Sequence, residues 1–271
     1  MTKLTYQATS LRQLVKQMLP SAESKNISES KQCVLQVREL DMRLPDGSSE
    51  YVHVLYASTR QPSFMLEVGM PLTTEWIETE DPDLGIRVDT RDLDTALGSF
   101  GQQMVTLEFC DHTLRLSTYL GTDADGKREE GPVKNLTIKG ETVIVDPEEE
   151  DDDIPTNCTL TTSTTLIEGL RAVVPVASER GNGTARQVVE IIGMPERITF
   201  QAQHPNADSS YTHPNPWQRA LQKTTMTTLS PDSARHLVSA LVGFGFHEPV
   251  EMNLTYESTA FRTKMVKMIV Q

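Results

Sequence analysis

The chain contains one structural pattern twice, and this internal duplication limits the folds that it can adopt. Apolar residues of one predicted helix recur in another at a constant offset of 144 residues, as Leu93, Ala96, Leu97, Phe100 and Leu237, Ala240, Leu241, Phe244. A second pair recurs at an offset of 155 residues, as Leu11, Val15, Met18, Leu19 and Leu166, Leu170, Val173, Val174. Positions three and four residues apart share one face of an α-helix. Each half is therefore predicted to contain two helices that bury one apolar stripe.

The segments around these stripes predict the remaining elements of each half. The helices are predicted over 11–19, 90–100, 164–174 and 231–244. Pro20, Gly101 and Pro175 follow the first three of them and disfavour their continuation. Alternating segments between the helices predict strands, whereas 204–216 is predicted to be a polar, proline-rich loop. The predicted fold class is α+β, with two similar domains that each pack two helices on an antiparallel sheet.

The composition changes between the two halves. Gly, Asp, Glu and Pro dominate 121–157, and seven carboxylates lie between 146 and 153. Three consecutive apolar residues, Val143, Ile144 and Val145, interrupt this polar stretch. Such a charge run is typical of an exposed connector. The predicted organisation is a first domain over 1–133, an acidic connector over 134–157 and a second domain over 158–271.

Basic residues repeat together with the apolar stripes. Arg91 corresponds to Arg235 at the first offset, and Lys16 corresponds to Arg171 at the second, while Arg12 lies one turn before Lys16. At about 100° per residue, these side chains fall on or beside the polar faces of their helices. The net charge of the chain is −13, so repeated cations on helix faces indicate a local basic surface. Ordinary solvated helix faces remain the alternative.

The composition and the cysteines exclude several classes of protein. The sequence contains no run of about 18 apolar residues, so no membrane span is predicted. The N-terminal segment lacks the apolar core of a secretory signal. Cys33, Cys110 and Cys158 form no CxxC pair, which favours free thiols in a reducing compartment.

No motif predicts catalysis or a cofactor. The segment from Gly121 to Lys127 satisfies GxxxxGK, but Arg128 stands where a P-loop carries Ser or Thr. The histidines and cysteines show no metal-ligand spacing, and there is no GxSxG elbow. We therefore expect a protein that is not an enzyme and that needs neither metal nor cofactor.

Three segments carry a resemblance to a known family. DTRDLDTALGSFGQQMVTLEF and PDSARHLVSALVGFGFHEPVEMNL hold the second helix of each half and its following strand, and KNLTIKGETVIVDPEEEDDDIPTN is the connector. This organisation resembles the DNA sliding clamp family, that is, proliferating cell nuclear antigen and its relatives, over nearly the whole chain as topology. The loop over 204–216 and the acidic run differ from the cellular clamp. The sequence is thus similar to a distant branch, such as a viral polymerase processivity factor or a checkpoint-type clamp subunit.

The resemblance implies a non-catalytic ring, first of all a homotrimer, that encircles duplex DNA. Its helix cations would meet phosphates without reading bases. The implied DNA-facing residues are Arg12, Lys16, Arg91, Arg171 and Arg235, with Arg180, Arg186, Arg219 and Lys223 on nearby loops. The implied partners are double-stranded DNA, a DNA polymerase, other clamp-binding proteins and further copies of the chain, without a membrane. The implied location is the nucleus or another reducing replication compartment.

The resemblance also implies a groove for partner peptides and a strand-to-strand contact between subunits. The groove residues would be Val143, Ile144 and Val145 of the connector, Met42 and Leu44 from the loop after the second strand, and Met268 and Ile269. Core packing is the alternative for each of them. The subunit contact would pair an edge strand over 113–119 with a segment near 217–223 of the neighbour.

Two other functions stay open at this level. One is a monomeric or dimeric processivity factor that holds DNA by charge alone, for which five or so cations are sparse. The other is a β-rich structural or interaction subunit, such as a virion component, without a role on DNA. Salt dependence separates the first from a closed ring, because charge-held complexes weaken steeply with salt.

Overall fold

The computed structural model describes residues 2–19, 32–43, 49–61, 64–72, 77–79, 84–121, 132–145, 158–178, 188–194, 196–204, 207–214, 225–244, 249–254, 259–262 and 266–270. The helices within them are α1 (Ala8–Lys16), α2 (Thr90–Gly98), α3 (Ser163–Ser178) and α4 (Pro231–Phe244). The strands are β1 (Thr2–Gln7), β2 (Gln32–Arg43), β3 (Ser49–Gln61), β4 (Phe64–Pro71), β5 (Ile77–Thr79), β6 (Leu84–Asp89), β7 (Met104–Cys110), β8 (Thr113–Thr118), β9 (Asn135–Ile144), β10 (Cys158–Thr162), β11 (Val189–Gly193), β12 (Arg197–His204), β13 (Ala207–Pro214), β14 (Thr225–Leu229), β15 (Pro249–Leu254), β16 (Thr259–Arg262) and β17 (Val266–Val270). None of these helices is long and apolar enough to cross a membrane.

The chain divides into two compact units. The first is built on 1–19, 28–59 and 67–150, and the second on 151–271 together with 20–27 and 60–66. In the first unit the strands follow the order β5-β1-β7-β8-β9-β6-β2-β3-β4. In the second unit one sheet has the order β10-β15-β16-β17 and another the order β13-β12-β11-β14. The fold class is the predicted one, since helices pack on antiparallel sheets in both units. The limits of the predicted domains and connector stay a prediction.

The apolar stripes are buried at nearly all predicted positions. Leu19 is partly exposed, and the side chain of Phe244 lies outside the described residues. The buried residues of the stripes are Leu11, Leu14, Val15 and Met18 on and after α1, Leu93, Ala96, Leu97 and Phe100 on and after α2, Leu166, Leu170, Val173 and Val174 on α3, and Leu237, Ala240 and Leu241 on α4. Burying such side chains is the main favourable contribution to folding. The helices therefore sit with their polar faces turned away from the sheets.

The helix ends differ from the prediction at two of the four helices. α1 begins at Ala8 after Gln7, whose side chain makes no capping bond, so the helix starts before Thr9. α3 continues through Pro175 to Ser178, because burial of Val174 and Ala177 outweighs the hydrogen bond that proline cannot donate. α2 agrees with its prediction, since Gly101 has a φ of 61° just beyond the helix.

Strand β9 falls within the predicted connector and joins two parts of the sheet. Its residues from Asn135 to Lys139 pair with β8, and those from Gly140 to Ile144 pair with β6. At the change of partner, a Cβ on Gly140 would lie 3.0 Å from the side chain of Ile86 and 3.1 Å from a backbone oxygen. The alternation of β9 was present in the sequence, but the neighbouring carboxylates led to its prediction as an exposed connector.

Two further predictions about strands are wrong. Thr113–Thr118 is paired with β7 on one side and with β9 on the other along Thr113–Ser117, so it is an internal strand and not the predicted subunit edge. Much of the predicted loop over 204–216 is strand β13, which pairs along its length with β12. β13 is an outer strand with one side partly open, and its polar composition follows from that position.

Candidate nucleic-acid interface

The candidate interface consists of the polar faces of two helix pairs. α1 contacts α2 in the first unit, and α3 contacts α4 in the second. The apolar stripes of each pair face the sheets of the same unit. The predicted cations therefore lie on the polar faces of the helices or at the edges of the stripes.

Arg12, one of the predicted DNA-facing residues, is engaged in an ion pair between the two helices. Its Nε and Nη2 donate to the two carboxylate oxygens of Asp94 on α2, at 2.8 and 3.2 Å. The hydrogen bond to Asp94, and then its charge, raise the pKa of the Arg12 guanidinium. A Cβ on Gly98 would lie 3.0 Å from the Arg12 Cζ, so the guanidinium also packs on the end of α2. Arg12 links two helices, and this pairing competes with any phosphate.

Lys16 and Arg91 of the first unit are both exposed, and neither makes an ion pair within the described part of the chain. Arg91 lies in the first turn of α2, where Asp89 caps the helix by accepting from the backbone N–H groups of Arg91 and Asp92. Lys16 is the last residue of α1, where its positive charge interacts favourably with the negative end of the helix dipole. These two cations are available at the surface of their helices.

Of the two helix arginines predicted to face DNA in the second unit, one is exposed without an ion pair among the described residues and the other is paired. Arg171 of α3 is exposed and makes no ion pair among the described residues. The carboxylate three residues before it, Glu168, instead accepts a hydrogen bond from the Tyr211 hydroxyl at 3.0 Å. Arg235 of α4 donates to Asp232 at 3.0 Å, and its side chain is 30% exposed. Arg235 is thus present at the surface with its charge partly offset.

The remaining predicted DNA contacts are not placed. Arg180, Arg186, Arg219 and Lys223 lie outside the described residues. The segment near 217–223, predicted to meet a neighbouring subunit, also lies outside them.

The residues predicted for a partner groove have different environments where the structure describes them. Val143, Ile144 and Val145 lie at the end of β9, where Ile144 is 76% exposed. The Val145 carbonyl accepts from the Gln36 side chain at 3.4 Å, which ties this segment to β2. Met268 is fully buried in the second unit and is therefore core.

The side chains of the other three groove candidates lie outside the described part of the structure. Met42 belongs to strand β2, opposite Glu50 of β3, and not to a loop. Ile269 belongs to β17, and Leu44 lies outside the described residues.

Sequence reasoning missed the aromatic side chains of β13. Tyr211 lies 6.5 Å from His213, ring centre to ring centre, with nearly parallel planes, and 6.2 Å from Phe200 of β12. Burial, and next the hydrogen bond to Glu168, raise the pKa of the Tyr211 phenol. The alternation of Ser209, Tyr211 and His213 was the available signal, and it was overridden by the flanking prolines.

The buried titratable groups favour their neutral forms. Burial raises the pKa of the Cys33 thiol to about 12. Burial also lowers the pKa of His236 on α4, against a smaller opposite effect of Asp232. Among the described residues, no three His, Cys, Asp or Glu side chains are placed to hold a metal ion.

The fold of the chain is similar to that of solved structures. No protein-family profile and no curated protein matches the chain. Solved structures do match. The beta chain of DNA polymerase III from Streptococcus pneumoniae gives a TM-score of 0.70 at 11% identity, covering 100% of this chain and 64% of that one. The beta subunit from Pseudomonas aeruginosa gives 0.69 at 11% identity, covering 99% and 64%.

A third structure, the beta clamp of Helicobacter pylori bound to a DNA ligase peptide, gives a TM-score of 0.65 at 8% identity and covers 99% of this chain and 66% of that one. The chain thus spans about 64–66% of the length of these bacterial clamps. The similarity extends over both units, including the helix pairs and their sheets. The protein has the fold of the DNA sliding clamps.

Proposed function

We propose that the protein is a non-catalytic DNA sliding clamp that tethers a DNA polymerase to duplex DNA without reading its sequence. The observation that carries this proposal is the duplicated helix pair on antiparallel sheets, which the chain shares with solved clamps over both units. Sliding requires contacts to the phosphate backbone and none to base edges. Helix faces that present a few cations meet that requirement.

The distribution of charge supports a clamp that holds DNA by topology. Lys16, Arg91 and Arg171 are exposed on helices, whereas Arg12 and Arg235 pair with carboxylates of their own unit. Each cation that neutralises a phosphate adds affinity that salt removes. On the described helices, three available cations are few for a factor that relies on charge alone, in a chain of net charge −13. A ring needs only weak contacts, because leaving DNA requires opening it.

We propose a head-to-tail ring of three copies, as the resemblance to proliferating cell nuclear antigen implies. A heterologous contact that closes on itself makes such a ring. β13 supports this assembly, since among the described strands it lies at one end of its sheet, where a strand from a neighbour can pair with it. Native mass spectrometry of the purified protein tests the copy number, and three is the expected result.

We further propose that partner proteins dock near the end of β9. Ile144 is a large apolar side chain that is 76% exposed, and the carboxylates of 146–153 follow it in the sequence. An apolar anchor on a peptide with basic flanks fits these two features. The expected compartment is the nucleus or another reducing replication compartment.

The decisive experiment separates trapping by topology from binding by charge. The protein is assembled on a linear duplex, both DNA ends are then blocked with streptavidin, and the salt concentration is raised. A ring stays on the blocked duplex and leaves the open one. Equal loss from both duplexes contradicts the ring and favours a charge-held processivity factor. Absence of any DNA binding at low salt contradicts both and favours a structural subunit.

A matched pair of double variants tests the interface itself. Lys16→Glu with Arg91→Glu changes the helix face, and Arg115→Glu with Lys139→Glu makes the same change of charge on the sheet. Arg115 and Lys139 are exposed and alternate with the buried Leu114 and Ile138. DNA binding at low salt is expected to fall in the helix variant and to persist in the sheet variant. Equal effects of the two variants contradict the assignment of the helix face.

A further inference from the structure

A crevice lies between the two helices of the second unit. Its volume is about 390 Å³. Its floor is aliphatic, with Leu170 and Val174 contributed by α3 and Val238 and Val242 by α4. Sites for small organic ligands have volumes of roughly 300–1,000 Å³ and are mostly apolar with a few polar groups. The crevice has the size and the surface of a small site of that kind.

Two guanidinium groups border the same crevice, Arg171 from α3 and Arg235 from α4. The described residues that line it include no carboxylate. Glu168, the acidic residue nearest to Arg171 along α3, bonds to Tyr211 of β13. Asp232 bonds to Arg235 and offsets part of its charge. The border therefore keeps a positive charge that favours an anionic group.

The duplication provides an internal comparison. The offsets place Ile167 and Val238 where the first unit has Arg12 and Asp94, which join α1 to α2 through two hydrogen bonds. Val242 corresponds to Gly98. The second unit thus has aliphatic side chains where the first has a polar bridge. Ile167 is buried, whereas Val238 and Val242 line the crevice. Aliphatic surface in contact with water is unfavourable, and covering it with an apolar group stabilises the complex.

We propose that the crevice between α3 and α4 binds a small amphiphilic anion. Its apolar body lies on the aliphatic floor, and its carboxylate, phosphate or sulfonate head faces Arg171 and Arg235. Hydrogen bonds between a guanidinium group and an anion are stronger than those between neutral groups. The planar guanidinium also matches the spacing of the oxygens in carboxylate and phosphate groups. Ligand binding requires neither a ring nor DNA, although Arg171 and Arg235 are also predicted DNA-facing residues.

A pair of fluorescent probes tests the proposal on the full chain. The anionic probe is 8-anilinonaphthalene-1-sulfonate, and its uncharged counterpart is N-phenyl-1-naphthylamine, which has the same rings without the sulfonate. From the efficiency typical of drug-sized ligands, the anionic probe is expected to bind with a Kd on the order of tens of micromolar. The uncharged probe is expected to bind about tenfold more weakly or worse. Equal affinity of the two probes overturns the proposed role of the arginines.

Matched variants locate the site. Ser239→Trp places a large side chain in the crevice from an exposed position, and Thr95→Trp is its counterpart in the first unit. Ser239→Trp is expected to abolish binding of the anionic probe, whereas Thr95→Trp leaves it unchanged. Unchanged binding in Ser239→Trp, with circular dichroism showing a folded chain, overturns the site.

A second pair of variants keeps the test valid if the tryptophan disturbs folding. Arg171→Gln with Arg235→Gln is expected to weaken the anionic probe about tenfold or more and to leave the uncharged probe unaffected. Lys16→Gln with Arg91→Gln removes the corresponding charges of the first unit and is expected to change neither. Equal weakening by both pairs overturns the site, because it indicates a general effect of charge.

Discussion

Gly169 allows α3 to approach the second unit's sheet closely, and replacing it by alanine tests this packing. A Cβ at this position would lie 2.6 Å from Cγ of Phe200 on β12 and closer still to Cδ2 and Cε2 of the same ring. Ordinary contacts of this kind are about 3.5–4.0 Å. Phe200 is fully buried and lies against Tyr211, which Glu168 of α3 holds by a hydrogen bond. The ring therefore cannot move aside without disturbing its neighbours.

Two opposing contributions set the magnitude. Alanine in a helix interior is favoured over glycine by about 0.8–1.0 kcal/mol. Overpacking a filled core costs about 1–3 kcal/mol and occasionally more. With contacts this short we expect the upper part of that range. Gly169→Ala should thus lower the free energy of unfolding by about 1–2 kcal/mol, measured by urea denaturation followed by circular dichroism.

A second substitution identifies the ring as the cause. Phe200→Leu alone is expected to destabilise the protein by removing buried aromatic surface. In the double variant the smaller side chain leaves space for the new methyl group. Its destabilisation should therefore be about 1 kcal/mol smaller than the sum for the two single variants.

Gly98→Ala is the control for this prediction. The three atoms nearest to its Cβ would all belong to the Arg12 guanidinium, at 3.0–3.3 Å, and that side chain is 39% exposed and able to move. We expect this variant to be neutral or slightly stabilised. If Gly169→Ala is equally neutral, or if the effects of Gly169→Ala and Phe200→Leu add, the packing argument is refuted.

Two further predictions concern buried titratable groups. Because burial lowers the pKa of His236 below its ordinary 6.5, the unfolded chain takes up a proton at a higher pH than the folded one. The stability that neutral His236 contributes is present above about pH 6.5 and is lost as the pH falls through that value toward the folded-state pKa. Urea midpoints should therefore decline less below pH 6.5 in His236→Gln than in the wild type, and parallel curves contradict the assignment. Because the pKa of Cys33 is raised to about 12 and the residue is buried, its thiol should resist iodoacetamide at pH 8 until the chain unfolds, whereas the partly exposed Cys110 reacts. Mass spectrometry of labelled peptides gives the two rates, and similar rates contradict the prediction.

The sequence alone determined the helices and their duplication. The spacing of Leu93, Ala96 and Leu97 requires only a helix with one buried face, and the copy at Leu237, Ala240 and Leu241 requires a second one. Such periodicity is local, so it does not depend on what the helix packs against. The exposure of Lys16 and Arg91 followed from the same periodicity.

Strand pairing was decided by the tertiary structure. Residues 135–144 and 207–214 have polar sequences that fit both a loop and an edge strand, and hydrogen bonds to distant partners make them strands. The same pairing turned the predicted edge at Thr113–Thr118 into an internal strand. Backbone hydrogen bonds between strands are made by groups that every residue shares. The pattern of side chains therefore could not show whether a strand is internal or at an edge.

The roles of individual cations were also decided in three dimensions. Arg12 and Lys16 are alike in the sequence, one turn apart on one helix. Asp94, 82 residues from Arg12, binds the first and leaves the second exposed. In the second unit the corresponding positions hold Ile167 and Val238, so the bridge has no equivalent there. The sequence placed charges on helix faces, but the packing of α1 against α2 decided that Arg12 is paired, because an ion pair depends on the distance between its two atoms.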